Sequence, residues 1–423
     1  MKSFYQIVMV SGSKLLSLGT LFLAGILVAR VAGPVGFGYY NVGLTILLLV
    51  DGVVGQPLDN AMVRFYSLHK DSKHSVDSVQ GAIFRIKMLL GIGLIAMVFI
   101  FSDVLSPMIM DSNAPQYILL VAAVGITCLL AVRSTACYLQ IRQRFQTYAT
   151  LDVLQGAIRF IGICVLFFMG TRAPEAYLAV YGAGALISFG FYFITVPQPY
   201  LRASWPNKAD QKRMVSYIGV TSAIVILGTV TGRIDVLLVM IFGGAEMAGH
   251  YSAAAQLAFL GALLAGYMAV VFQPKVVQLS REKKLAKLIR LNGLLAGAVS
   301  LACIPIAIWF LPWIMPLLFG EGFIASVPIL QIMLIGTCAD LFIMPILLPF
   351  SIQVLAKEAL IGEIVITCLF FVLVFAGSNF SALRMAWLVS GIRLAKLGLY
   401  LFIVVRYLRK ETRDDVSLPS TVV

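Results

Sequence analysis

The chain has 423 residues, of which 60% are hydrophobic and 12% charged, and its formal net charge is +13. Soluble domains carry roughly 45–50% apolar and about 25% charged residues, so a soluble globular class is excluded. Apolar runs near twenty residues long, each able to cross a hydrocarbon core of roughly 30 Å, follow one another along nearly the whole length. This is the pattern of an all-α, polytopic integral membrane protein. The positive charge does not point to nucleic acid. It falls in short loops between apolar segments, as expected from topology and membrane-surface electrostatics.

Twelve spans are expected, near 8–30, 38–60, 82–102, 116–139, 150–170 and 176–196, then 214–242, 248–273, 291–311, 324–352, 359–376 and 382–404. The first apolar run begins after Lys2 like a signal peptide, but it carries Lys14 and runs on to about Ala29 without a small-residue cleavage site. It reads as a retained helix. Placing the termini and every second loop on one side collects most of the basic residues there, among them Arg64, Lys70, Lys73, Arg85, Lys87, Arg142, Lys208, Lys212, Lys283, Lys284, Arg406 and Arg409. The opposite loops hold only Arg30 and Arg172. That asymmetry puts both termini in the cytoplasm.

A proline- and charge-rich stretch at 197–213 lies at the midpoint and reads as a linker. It divides the chain into a six-helix lobe at 1–200, a cytoplasmic linker at 201–213, and a second six-helix lobe with a short tail at 214–423. A repeated spacing supports the division. Gly33, Gly38 and Tyr40 recur as Gly244, Gly249 and Tyr251, each pair 211 residues apart. Both copies end one apolar helix and begin the next, and Gly33-Pro34 and Gly243-Gly244 suit a helix stop followed by a tight turn. Both halves start from the cytoplasmic side, so the repeat is parallel. Duplicated membrane halves are the usual build of alternating-access transporters, with the substrate site near the bilayer midplane.

Nothing in the sequence suggests an enzyme or a resident cofactor. There is no phosphate-binding loop, zinc motif or nucleophile elbow. The six cysteines lie in apolar segments without Cys-x-x-Cys spacing and read as small buried hydrophobes, so no metal site is expected. Charges inside the spans carry the functional information, because each costs at least roughly 2.5–3.5 kcal/mol at a helix centre unless it faces protein or water. Lys14 and Arg233, in the first helix of each half, lead the candidates for a cationic cavity, followed by Arg133, Arg159, Arg384 and Arg393. Asp51, Asp152, Asp235 and Asp340 are candidates for ion pairing or for coupling to a cation or proton. Asp152 and Arg159 are seven residues apart and share a helix face. A surplus of positive charge suits a phosphate or pyrophosphate group, whereas a deep carboxylate such as Asp51 or Asp340 suits a cation-coupled drug exporter.

The stretch Leu27 to Tyr40, leading through Asp51 to Val63-Arg64-Phe65-Tyr66, resembles the opening of polysaccharide biosynthesis proteins. These are the Wzx-type oligosaccharide flippases of the multidrug/oligosaccharidyl-lipid/polysaccharide (MOP) exporter superfamily. Arg233-Ile234-Asp235 followed by Gly244 and Gly249-His250-Tyr251-Ser252-Ala253-Ala254 is similar to the second-half signature. The resemblance implies a V-shaped, MATE-like bundle of two six-helix lobes in a bacterial inner membrane. Its substrate would be a polyprenyl-diphosphate-linked oligosaccharide destined for O-antigen, capsule or exopolysaccharide. Membrane lipids, a polysaccharide polymerase and a chain-length regulator are the partners it implies, and no nucleic acid. The first helix carries Lys14 and no acidic residue, which departs from the drug-exporter branch. Cation-coupled multidrug export within the same superfamily is the alternative.

Overall fold

The computed structural model describes residues 2–69, 72–111, 113–281, 305, 308–351, 356–377 and 380–416. The described residues are helical nearly throughout. In order they form α1 (Lys2–Val50), a π-helical turn (Asp51–Gly55), α2 (Gln56–His69), α3 (Lys73–Ile100), α4 (Ser102–Ile109), α5 (Ile118–Ile141), α6 (Phe145–Phe168) and α7 (Pro174–Thr195). Then come α8 (Lys208–Tyr217), α9 (Val220–Thr231), α10 (Ile234–Arg281), α11 (Ile308–Phe319), α12 (Ser326–Ser351), α13 (Ala356–Phe375) and α14 (Ala382–Val416).

Eight helices among the described residues are long and apolar enough to cross a membrane, and two of them hold more than one crossing. Gly12–His69 covers the spans expected at 8–30 and 38–60, and Ser222–Leu260 covers most of 214–242 and the start of 248–273. The span expected at 291–311 lies largely outside the described residues. Large apolar side chains such as Phe99, Ile100, Phe168, Ile194, Trp309, Trp313 and Phe402 are exposed. On a multi-pass membrane protein this surface faces lipid.

Continuous helix across α1 would run about 75 Å, more than twice the hydrocarbon thickness. The chain breaks it at Gly33, with φ 65° and ψ −178°, and breaks α10 in the same way at Gly244, with φ 78° and ψ 178°. Positive φ strains any residue with a Cβ, which explains the glycine at both places. Pro34 then opens the second half of α1 where a missing N–H costs nothing.

The other motif glycines make the two copies interlock. A Cβ on Gly38 would lie 2.0 Å from the Ala245 carbonyl oxygen, and one on Gly249 would lie 1.9 Å from that of Pro34. Pro34 and Ala245 are themselves separated by the 211-residue offset. These are therefore one contact seen from its two sides, a pseudo-two-fold crossing at which only glycine lets the backbones approach. Asp111 braces it. Its Oδ1 accepts from the Tyr39 hydroxyl, and its Oδ2 accepts from the Ala245 N–H at 3.3 Å. Pro34, the counterpart of Ala245, has no N–H to satisfy, and the residue 211 after Asp111 is Gly322, whose Cβ position is 3.6 Å from the Pro34 ring.

By internal contact the chain forms one unit of residues 1–252 with 318–323, and a second of 253–317 with 324–423. The first unit packs α1, α3, α5, α6 and α7 around a core that includes Leu47, Leu129, Leu151, Tyr181 and Tyr192. A smaller core (Phe65, Val79, Ile83, Tyr138, Tyr200 and Met214) closes one end of α2, α3 and α5. In the second unit α14 packs against α12 and α13.

Two expectations are revised. The midpoint stretch is not all loop: Asn207 accepts from the Asp210 N–H at 2.8 Å and starts α8, whose Met214 and Tyr217 pack on the smaller core. Tyr200 just before it is buried among Phe84 and Tyr138, and that burial pushes its phenol well above the ordinary range. Nor is Lys87 a loop residue. It lies within α3 at 0% exposure, and its Nζ is 2.6 Å from Asp59 Oδ1.

Candidate functional site

Most of the expected charges in the first unit converge on one face built by α1, α5 and α6. The turn after α1 buries Asp51, and Arg133 of α5 reaches it with Nε 3.6 Å from Oδ2. Asp51 Oδ1 has no hydrogen-bond partner. A π-helical turn widens the backbone by one residue, a distortion frequent at functional sites. On α6, Asp152 lies within electrostatic reach of Arg133, Lys14 and Arg159. Lys14 is exposed on α1, with its Nζ 5.7 Å from the Tyr148 ring centre.

Arg159 is buried, its guanidinium 4.6 Å from the Tyr181 ring centre. Its Nε donates to Gln155 O at 3.2 Å and its Nη2 to Ser17 Oγ at 3.1 Å. Arg233, between α9 and α10, lies within electrostatic reach of Tyr181, Asp235 and Asp51. Asp235 accepts from the Tyr251 hydroxyl at 2.6 Å and from the Val236 N–H at 2.9 Å. Lys14, Arg133 and Arg159 thus lie near Asp51 and Asp152, while Asp59, also within reach of Arg133, is already paired with Lys87, which leaves a surplus of positive charge that attracts an anion.

The remaining candidates lie in the second unit, in local contacts. Arg384 Nη2 donates to the carbonyls of Leu373 at 3.1 Å and Val374 at 3.4 Å, so it caps the C-terminal end of α13, where a cation complements the helix dipole. Arg393 Nη1 is 3.1 Å from Asp340 Oδ2. Lys396 Nζ is 2.6 Å from Glu363 Oε1, which also accepts from the Tyr400 hydroxyl at 2.8 Å.

Residues 2–280 match the family described as "Polysaccharide biosynthesis protein". The chain belongs to that family. No curated protein matches it by sequence. Among solved structures it is similar to an inward-facing multidrug resistance MATE family transporter of the MOP superfamily, with TM-score 0.73, 14% identity, and coverage of 95% of this chain and 99% of that one. It is equally similar to the lipid II flippase MurJ in an inward closed conformation, with TM-score 0.73, 13% identity, and coverage of 95% and 87%. A MOP-superfamily transporter from Pyrococcus furiosus, described by a binding pocket of reverse polarity, follows with TM-score 0.65, 15% identity and 96% coverage of both chains. At these identities the likeness establishes a shared fold and nothing beyond it.

Within this polysaccharide biosynthesis protein, sequence reasoning missed the tyrosines around the charges. Tyr148 on α6 and Tyr181 on α7 lie in apolar runs that read as core, and only their contacts with Lys14 and Arg159 distinguish them. The Asp59–Lys87 pair was also hidden, because its members are 28 residues apart on different helices.

Proposed function

We propose that the protein is a flippase that carries a polyprenyl-diphosphate-linked oligosaccharide across a bacterial inner membrane by alternating access, for assembly of a cell-surface polysaccharide. In this reading two six-helix lobes joined at 201–213 rock about a central cavity, both termini are cytoplasmic, and the lipid tail stays in the bilayer. Lys14, Arg133 and Arg233 meet the diphosphate, with Arg159 behind them. The observation that carries the proposal is the surplus of basic over acidic side chains on the α1–α5–α6 face, in a chain of the polysaccharide biosynthesis family. Guanidinium and ammonium groups bind phosphoryl oxygens through charge-assisted hydrogen bonds. A polysaccharide polymerase and a chain-length regulator are the partners that would use the product.

Cation-coupled export of a small amphipathic compound is the second reading, favoured by one observation, the unpartnered Oδ1 of buried Asp51. Against it, Asp340 is already paired with Arg393. The two readings separate by mutation in a strain that depends on the protein for surface glycan. Flipping requires that Lys14→Ala or Arg233→Ala abolish glycan display at normal abundance, and that Lys14→Arg and Arg233→Lys retain part of it. Export requires that Asp51→Asn be the inactive variant and that the basic residues tolerate exchange.

A further inference from the structure

Basic residues at the linker end of the first unit divide into two groups. One group is used inside the protein. Arg142 Nη2 is 2.6 Å from Asp77 Oδ1, Arg85 donates to the Ala203 carbonyl, and the Arg64 guanidinium lies 5.3 Å from the Tyr217 ring centre. The other group is Arg202, Lys208 and Lys212, on the segment that joins α7 to α9. All three are exposed, with no carboxylate within ion-pair distance among the described residues. Asp210, the acidic residue of α8, is turned inward at 3% exposure, where it accepts from the Ser75 hydroxyl and lies 3.3 Å from Arg213 Nη1. Topology explains the side on which these charges gather. It does not explain why three of them are left unpaired together.

The segment is firmly held. Tyr200 is buried, Arg85 grips the next turn, and Asp210 and Met214 fix one face of α8 against the first unit. The opposite face therefore points outward. It carries Lys208, Lys212 and Val215, spaced i, i+4 and i+7, and Val215 is 66% exposed. Trp205, just ahead of the helix, is 51% exposed. Both ends of the segment are tied to membrane-crossing helices, α7 ending at Thr195 and the next span beginning at Ser222. Basic residues with long stems, an exposed tryptophan and an exposed aliphatic side chain make up the outer face of a helix at the bilayer interface. We infer that Arg202, Trp205 and the outward face of α8 form a docking surface for anionic phospholipid, separate from the cationic face that meets cargo. The basic residues meet headgroup phosphates, and Trp205 and Val215 sit at the acyl boundary. Phosphatidylcholine carries the same phosphate but cancels its charge with a choline, so the surface selects phosphatidylglycerol.

The inference goes beyond the transport reading and is tested without it, on the full-length chain. The chain has 4 tryptophans, and Trp309, Trp313 and Trp387 are all exposed, so phenylalanine can replace them and leave Trp205 as the sole emitter. This protein is reconstituted in phosphatidylcholine bilayers with a fixed fraction of phosphatidylglycerol. In matched samples the acyl chains of the phosphatidylglycerol, or of an equal fraction of the phosphatidylcholine, carry bromine. Trp205 emission is quenched by both lipids, and phosphatidylglycerol associates at least about 5-fold more strongly at low salt, a preference that falls as ionic strength rises. Arg202→Gln, Lys208→Gln and Lys212→Gln together abolish the preference while quenching by phosphatidylcholine remains. A second protein with Trp387 as its sole tryptophan reports lipid beside α14 and shows no preference. Equal quenching of Trp205 by the two lipids overturns the charge recognition. Quenching by neither overturns the docking surface and assigns the face to solvent or to an acidic protein. A preference that survives the triple variant, or that Trp387 shows to the same degree, also overturns it. None of these outcomes depends on whether glycan is flipped.

Discussion

Replacing Gly38 or Gly249 by alanine adds one methyl group where the two repeat motifs cross. The added carbon would stand 2.0 Å from the Ala245 oxygen or 1.9 Å from the Pro34 oxygen. Ordinary carbon–oxygen contact needs about 3.4 Å, so the backbones must part by about 1.4 Å, in a region where packing is the main attraction between helices. Overpacking of this kind costs about 1–3 kcal/mol. If the crossing opens during transport, a cost of about 2 kcal/mol borne only by the closed state shifts the balance toward the open state roughly 30-fold. A cysteine introduced at buried Ala245, in a background without the native cysteines, reports the change. Its labelling by a membrane-impermeant maleimide is expected to accelerate at least about 10-fold in either glycine variant, with protein abundance unchanged. Because the contact is reciprocal, Gly38→Ala and Gly249→Ala should act alike. Unaltered labelling in both, or a large effect from one and none from the other, would refute a paired crossing.

Asp111→Asn keeps an acceptor for Tyr39 but removes charge from the brace, and it should raise the same labelling less than either glycine variant does. Lys87→Met strands the Asp59 carboxylate, which should cost about 3–5 kcal/mol and lower abundance, while the double variant Lys87→Met, Asp59→Leu recovers most of it. Arg384→Ala removes a helix cap and should lower Tm without reducing transport per molecule. A periplasm-dependent reporter should be active when fused after Ala245 or Glu321 and silent after Asn207, which checks the side assigned to each end.

The repeat was legible because its signal is backbone chemistry: Gly33 and Gly244 are forced by positive φ, and an equal offset relates their neighbours. The reciprocal contact of Gly38 with Ala245 and of Gly249 with Pro34 was not legible, since spacing along a chain does not say which segments cross. Asn207, with Asp210 three residues later, is a helix-start signal that proline and charge around it obscured. Loop counting put Lys87 outside the membrane because a lysine usually belongs there, and only Asp59 on a neighbouring helix allows it inside. Lys14, Arg133, Arg159, Asp51 and Asp152 were recognisable as costly intramembrane charges. That they meet on one face, whereas Arg384 caps a helix and Arg393 pairs with Asp340, depends on helix rotations that a nearly all-apolar sequence encodes weakly.

Flipping by a cationic face is tested most directly in proteoliposomes loaded with a fluorescent polyprenyl-diphosphate oligosaccharide, where an impermeant quencher reports the fraction that crosses. The wild type should move the lipid, and Lys14→Ala combined with Arg233→Ala should reduce the rate to that of protein-free vesicles at equal reconstitution. Wild-type rates from the double variant would contradict the account.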